Sequence, residues 1–131
     1  MQKLAGISLV VKDYDEAIHF YTRVLNFELL EDSKMDEDKR WVMIKPKGEG
    51  GCNIVLAQAK NEQELAAVGQ QGGGRVWLFL QTDDFDRDYE IYKNNGLIFL
   101  ETPRDEPYGK VAVFQDIYGN KWDLIQHKWW S

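Results

Sequence analysis

The sequence predicts an α+β fold built from two copies of a βαβββ module, and two features of an internal repeat predict it. Asp13 and Tyr21 recur at the same spacing as Asp84 and Tyr92, each pair following an apolar segment with strand character. Each copy also ends in a similar six-residue segment, NIVLAQ in the first and KWDLIQ in the second, with Leu and Gln at shared positions. A repeat of this kind indicates a duplicated supersecondary unit.

The first module covers residues 1–59. Its opening segment, residues 4–11, is apolar and rich in branched side chains, which favours a buried strand. Asp13 is predicted to cap a helix, and Asn26 to end it in a left-handed conformation. Three further strands are predicted at residues 27–32, 41–45 and 52–59, and the charged residues 33–40 form a hairpin loop or a lid.

Residues 60–74 form a linker, with a short helix capped by Asn61 and a flexible joint of three glycines. The second module covers residues 75–131, and its helix is capped by Asp84 and ended by Gly96. Its strands are predicted at residues 75–82, 97–101, 110–115 and 121–126, with a polar loop at 102–109. We expect the two modules to lie side by side in one domain, residues 1–131, as an open half-barrel of eight strands around a shared cleft.

The composition of the chain argues against several classes of function. The chain has 131 residues, 44% of them hydrophobic, which is enough for a real core. A net charge of −6 without any basic run argues against nucleic-acid binding. No apolar run approaches the ~20 residues of a membrane span, and Cys52, as the single cysteine, forms no intrachain disulfide. We therefore predict a cytoplasmic protein without a membrane partner.

The segments VVKDYDEAIHFYTRVLNFELL, TDDFDRDYEIYKNNG and DIYGNKWDLIQ resemble the vicinal oxygen chelate superfamily. This superfamily includes glyoxalase I, the bleomycin- and fosfomycin-resistance proteins and the extradiol dioxygenases. The resemblance covers nearly the whole chain, and RWVMIKP with EPYGKVAVFQD is similar to a glyoxalase-like subgroup. It implies the glyoxalase/bleomycin-resistance/dioxygenase fold and a site on the inner strands.

The resemblance also implies a metal site. In the family's enzymes up to four inward side chains, mostly His and Glu, hold a divalent ion that acts on the substrate as a Lewis acid. The matching positions here are Gly6, Val55, Trp77 and Asp123. Only Asp123 offers an oxygen ligand, so we expect no metal cofactor. His19 on the first helix and His127 after the last strand are not expected to replace the lost ligands.

Residues that share the face of these positions form the predicted lining of an apolar, aromatic ligand site. Trp77 and Phe79 either stack on a planar ligand or fill the space left by the metal and its histidine. Asp123 is either a general base or ligand anchor with a raised pKa, or a structural group paired with Lys121 or Arg75. The proposed ligand-binding residues are Ser8, Trp41, Met43, Asn53, Trp77, Phe79, Gln81 and Lys121; Val10, Ala57 and Ile125 complete the lining.

Three functions stay open at this point. The first is a glyoxalase-like protein that binds a planar or aromatic organic molecule without a metal. The second is a lyase or isomerase of glyoxalase type that uses Asp123 with a nonstandard metal or as a general base. The third is a partner-binding module whose cleft is plugged by Trp77 and Trp41. The terminal Trp129 and Trp130 are expected to dock on a neighbouring element or subunit, and the resemblance implies a homodimer.

Overall fold

The computed structural model of this chain describes residues 1–129, and Trp130 of the predicted docking pair lies outside them. The described chain has two compact units, Met1–Val68 and a second beginning at Gly69. The boundary falls inside the segment predicted as a linker. Each unit carries a mixed sheet and a helix, so the predicted α+β class is confirmed.

The first unit has a four-stranded sheet in the order β1-β4-β3-β2. Strands β1 and β4 run parallel, whereas β3 is antiparallel to both β4 and β2. Helix α1 follows β1 and continues as a π-helical turn at Phe20–Val24, and α2 ends the unit. The bounds are β1 Gly6–Val11, α1 Tyr14–His19, β2 Glu28–Lys34, β3 Arg40–Lys45, β4 Asn53–Gln58 and α2 Glu62–Ala67.

The second unit repeats this plan with the order β5-β9-β8-β6, and a short strand β7 also pairs with β8. Strands β5 and β9 are parallel, and β8 is antiparallel to β9. Helix α3 follows β5, as α1 follows β1. The bounds are β5 Val76–Gln81, α3 Phe85–Asn94, β6 Ile98–Phe99, β7 Arg104–Glu106, β8 Gly109–Gln115 and β9 Lys121–His127.

The same capping arrangement starts the main helix of each unit. The Asp13 carboxylate accepts a hydrogen bond from the Glu16 backbone N–H at 2.8 Å, and Asp84 does the same for Arg87 at 3.2 Å. These bonds satisfy N–H groups that have no partner within the helix. Asn26 has a φ of 59°, the left-handed conformation predicted for it. The predicted caps and the helix exit are therefore confirmed.

Two predicted boundaries are wrong. The segment predicted as a polar loop at 102–109 contains β7, which pairs with β8 through Arg104 opposite Val111. Strand β2 extends through Ser33 and Lys34, which were assigned to the charged loop. In both places the residues are polar because these strands carry exposed positions, so their composition resembled that of a loop.

Each core lies between a sheet and the helix of the same unit. In the first unit, Leu9, Leu56 and Val42 are buried on the face that α1 contacts. In the second unit, the rings of Phe114 and Trp122 stack at 5.7 Å on the face toward α3. Since side chains alternate along a strand, the odd-numbered residues of β8 and β9 lie on the face opposite α3, which is called the helix-free face below. Within residues 1–129, none of the helices has both the length and the apolar composition that a membrane crossing requires.

Candidate ligand-binding site

Asp123 lies in the middle of β9, on the helix-free face of the second unit. Its register partners are Phe79 on β5 and Val113 on β8. Its neighbours along the strand, Trp122 and Leu124, point to the other face and are buried. Phe79 is 66% exposed, which is unusual for a phenylalanine in a sheet. The predicted catalytic residue and one predicted ligand residue are thus side by side.

The Asp123 carboxyl group is only partly satisfied. Its Oδ1 atom is buried and has no hydrogen-bond partner among the described residues. Burial raises the pKa of Asp123, and the negative charge of Glu101 adds to that rise, whereas the positive charge of Arg104 opposes it. The ionisation of a carboxyl group in such an environment responds strongly to nearby charges.

Arg104 reaches this face because β7 places it opposite Val111, on the same side of the sheet as Asp123. Its guanidinium donates to the Glu101 carboxylate and also lies 3.4 Å from Glu106. Two carboxylates therefore hold Arg104. Glu101 was not predicted beside Asp123, and Arg104 was considered only as a loop residue that could close over the cleft mouth. The alternation along β7 is the signal that would have placed Arg104 on this face.

Lys121 is also on β9, but it does not serve as the partner that was considered for Asp123. Its ammonium donates to the Gly74 carbonyl at 3.0 Å. Neither Lys121 nor Arg75 forms an ion pair with Asp123 in the described part of the chain. The structural pairing considered for Asp123 is therefore wrong.

Trp77 does not follow the alternation used to place it beside Phe79. Val76 is opposite Lys121 and Leu78 is opposite Trp122, so Trp77 is the additional residue of a β-bulge. A Cβ atom at Gly72 would lie 2.8 Å from the Trp77 Cβ atom, so the backbone of residue 72 passes directly against this side chain. The loop before β5 therefore packs on Trp77.

Gln81 and His127 lie at the far end of the same face. His127 is the last residue of β9, not a residue after the strand as predicted. Its Nδ1 atom donates to the Gln81 Oε1 atom at 2.8 Å, and its ring stacks on Trp129 at 4.7 Å. Trp129 is 70% exposed despite this stacking. Gln81 is thus engaged within its own unit.

The predicted ligand residues of the first unit share one face of its sheet. Ser8 and Met43 both lie opposite Val55, and Asn53 lies opposite Gly6. Trp41 is on the same face, two residues before Met43, and is 37% exposed. The structure therefore brings Ser8, Met43 and Asn53 together, with Trp41 at one side of them.

The residues at the family's metal positions do not fit a divalent ion. Gly6 and Val55 in the first unit carry no donor atom, and the Trp77 indole carries only an N–H group. Asp123 alone contributes oxygen atoms, whereas a divalent ion in a protein takes several ligands. Among residues 1–129, no three His, Cys, Asp or Glu side chains form a group with the geometry of a metal site.

A surface depression of about 510 Å³ lies on the first unit, beside α1 and the π-helical turn. It contains His19 but none of the predicted ligand residues. Its walls mix charged and apolar side chains, and it is wide open to solvent. Its lining residues are Asp15, Ile18, His19, Thr22, Arg23, Phe27 and Leu29.

Comparison with known proteins gives the family. A protein of Shewanella frigidimarina is 49% identical over 126 residues, which cover 95% of this chain and 93% of the relative. The crystal structure of UcmS2 superposes with a TM-score of 0.83 at 28% identity, covering 95% of this chain and 98% of that one. TnmS3, an antibiotic binding protein from Streptomyces sp. CB03234, has a TM-score of 0.78 at 27% identity and covers 98% of both chains.

The sequence profile of one superfamily matches residues 3–124, nearly the whole chain. A glyoxalase/bleomycin resistance protein from Streptomyces sp. CB03234 superposes with a TM-score of 0.72 at 29% identity, covering 95% of this chain and 100% of that one, so the resemblance noted from the motifs is confirmed. The chain belongs to the glyoxalase/bleomycin resistance protein/dioxygenase superfamily.

Proposed function

We propose that this protein binds a planar aromatic organic molecule on the helix-free face of its second unit, without a divalent metal. One observation carries the proposal: the exposed ring of Phe79 lies in register beside Asp123, whose buried Oδ1 atom has no partner. A flat ligand would cover the Phe79 ring, and a donor group on it would bond to the half-buried Asp123 carboxyl group. Stacking and a buried hydrogen bond are the usual elements of small-molecule recognition.

The relatives support binding as the function. TnmS3, at 27% identity over almost the full chain, is an antibiotic binding protein. A member of this superfamily can therefore use the fold to hold an organic molecule. The absence of oxygen and nitrogen ligands at Gly6, Val55 and Trp77 favours binding without the family's metal chemistry.

The first unit supplies a second set of proposed contacts. Ser8, Met43 and Asn53 share one sheet face with Trp41, whose indole is partly exposed. We propose that Trp41 offers another ring surface for a ligand and that Ser8 and Asn53 offer polar groups. Replacing Trp41 with Ala is expected to weaken ligand binding, and also to lower the unfolding midpoint, since most of the indole surface is buried.

The test is a fluorescence titration with planar aromatic compounds, among them neutral acridone and cationic 9-aminoacridine. Binding of at least one compound is expected, and Phe79→Ala is expected to weaken it about tenfold because a ring contact is lost. Ile91→Ala is the matched control, since Ile91 is an exposed apolar side chain on α3, which packs on the other face of the sheet. The proposal is overturned if no compound binds, or if both variants weaken binding equally.

A lyase or isomerase of glyoxalase type is the second candidate. It is favoured by the raised pKa of Asp123 and its unpartnered oxygen, which together suit a general base. In this function Asp123 would take a proton from a carbon next to a substrate carbonyl. Asp123→Asn is then expected to abolish turnover while the protein keeps its fold, and full activity of that variant would exclude this candidate.

We further propose that the protein acts as a homodimer in the cytoplasm. The exposed apolar side chains Ile98 and Trp129 in the second unit are typical of a surface that a partner covers. Sedimentation analysis is expected to give a mass near twice 15.3 kDa. A single species at the monomer mass would contradict the dimer, and recovery outside the cytoplasmic fraction would contradict the location.

A further inference from the structure

The charges around Asp123 indicate which ligands its face selects. Three carboxylates, those of Glu101, Glu106 and Asp123, are associated with one guanidinium, that of Arg104. Because Arg104 is bonded to the first two, its charge is already shared between them. The Asp123 carboxylate therefore has no cation of its own when it is ionised.

The basic residues of β9 itself, Lys121 and His127, are also engaged elsewhere. The Lys121 ammonium donates to the Gly74 carbonyl at 3.0 Å, at the opposite end of β9 from His127. His127, on the same face, is bonded to Gln81 and stacked on Trp129. Neither of these groups forms an ion pair with Asp123 within residues 1–129.

The unpaired carboxylate favours a positively charged ligand, and so does the exposed ring beside it. A cation is attracted to the face of an aromatic ring, and Phe79 is 66% exposed next to the carboxylate. A positive group placed between the two would gain from both the ring and the carboxylate. A neutral or anionic group there would gain from neither charge interaction, and an anion would be repelled by Glu101 and Asp123.

We propose that this site selects aromatic cations, flat molecules whose positive group contacts the Asp123 carboxylate and whose ring covers Phe79. The inference rests on the proposed binding function and specifies its ligand class. Asp123 is the residue that determines selectivity, because its carboxylate lies beside the exposed ring and forms no ion pair with any of residues 1–129. The affinity for a matched neutral molecule is then expected to be lower.

The test compares 9-aminoacridine, a flat cation at neutral pH, with acridone, a flat neutral molecule of similar size. The wild-type protein is expected to bind the cation at least about tenfold more tightly, as for other hydrogen bonds to a charged group. Asp123→Asn is expected to remove most of this preference, because it should weaken 9-aminoacridine binding far more than acridone binding. Asp105→Asn is the matched control, because Asp105 is exposed on β7 and lies on the opposite face of that strand from Arg104.

The outcomes separate this inference from the function on which it rests. Acridone binding as tightly as 9-aminoacridine, or equal effects of Asp123→Asn and Asp105→Asn, would overturn the cation selectivity and leave aromatic binding standing. Failure of both compounds to bind would overturn the selectivity, and failure of the whole panel would overturn the binding function too. If Asp123→Asn does not fold, the salt dependence of binding to the wild-type protein decides the question. Raising the salt concentration to about 0.5 M should weaken the binding of 9-aminoacridine and leave that of acridone unchanged.

Discussion

Phe79 and Asp123 lie directly opposite each other on the parallel strands β5 and β9, and they differ sharply in what surrounds them. The phenylalanine ring is largely exposed, whereas one carboxyl oxygen of Asp123 is buried without a hydrogen-bond partner. Folding alone would favour the opposite arrangement, with the ring buried and the carboxylate in water. A bound molecule that covers the ring and bonds to the carboxyl group would therefore stabilise both side chains.

The first prediction concerns stability and pH. Burial and Glu101 raise the pKa of Asp123 in the folded protein, so the folded state binds more protons than the unfolded chain above the ordinary value of 3.8. Stability contributed by this residue should fall as the pH rises from that value through the raised pKa, and remain lower above it. Asp123→Asn should therefore be more stable than wild type at pH 7. Thermal unfolding across pH measures this.

The control for this prediction is Asp105→Asn, which removes the same charge at an exposed position on β7. Its stability should differ little from that of wild type, because an exposed surface charge contributes little. A stability gain for Asp123→Asn that persisted unchanged below pH 3 would contradict the raised pKa as its cause. Below pH 3 the Asp123 side chain of the wild-type protein is protonated, so it is as uncharged as Asn.

The second prediction concerns the charges that act on Asp123. Arg104→Gln removes a charge that lowers the pKa of Asp123, so that pKa should rise further. Glu101→Gln removes a charge that raises it, so the pKa should fall. An NMR titration of the Asp123 side-chain carboxyl carbon measures both shifts.

Arg87→Gln is the matched control, because Arg87 is paired with Asp83 and Asp88 next to α3. This variant should leave the pKa of Asp123 unchanged. Shifts of the same sign in Arg104→Gln and Glu101→Gln would show that the two side chains act on Asp123 through structure and not through charge.

The third prediction concerns a glutamine in the last strand of each unit, Gln58 in β4 and Gln126 in β9. The Gln58 side-chain oxygen accepts from the Tyr14 N–H at 3.0 Å, and Gln126 accepts from the Phe85 N–H at 2.8 Å. Either Ala substitution leaves a helix N–H without its partner and should lower the free energy of unfolding by about 1–3 kcal/mol. Gln126→Glu keeps an acceptor oxygen and should cost less. Urea unfolding measures these values, and equal losses for Ala and Glu would contradict the role of the hydrogen bond.

The fourth prediction concerns two glycines whose backbone φ angles are both positive. Gly69 has a φ of 74°, and a Cβ atom there would lie 1.9 Å from the Tyr118 carbonyl oxygen. Gly73 has a φ of 62° with nothing within 4 Å of such an atom. Gly73→Ala should cost about 1–2 kcal/mol through backbone conformation alone. Gly69→Ala should cost clearly more, and similar unfolding midpoints for the two variants would contradict the close packing at Tyr118.

Much of the fold follows from sequence because the pattern repeats. Asp13 and Asp84 cap equivalent helices, and the shared glutamines Gln58 and Gln126 proved to bond to those same helices. The strand alternation placed Phe79 and Asp123 on one face, as the register shows. The caps and the alternation within each strand are local, so they can be predicted from residues close together in the chain. The repeat adds which distant segments are equivalent.

The features that sequence did not predict depend on register and on distant partners. The bulge at Trp77 breaks the alternation on which its position was based, and no local residue type marks it. Strand β7 exists because Arg104 and Glu106 find backbone partners on β8. That strand delivers the charges beside Asp123, so the electrostatics of the site could not be derived from the chain order alone.

The most direct test of the account is whether aromatic binding survives removal of divalent metal. The protein would be purified, its metal content measured, and 9-aminoacridine titrated before and after dialysis against EDTA, with Ni, Zn, Mn and Fe added back separately. The account predicts no stoichiometric metal and the same affinity in every sample. Loss of binding in EDTA with recovery on adding one metal would contradict it, because the donor set at Gly6, Val55, Trp77 and Asp123 would then have been misread.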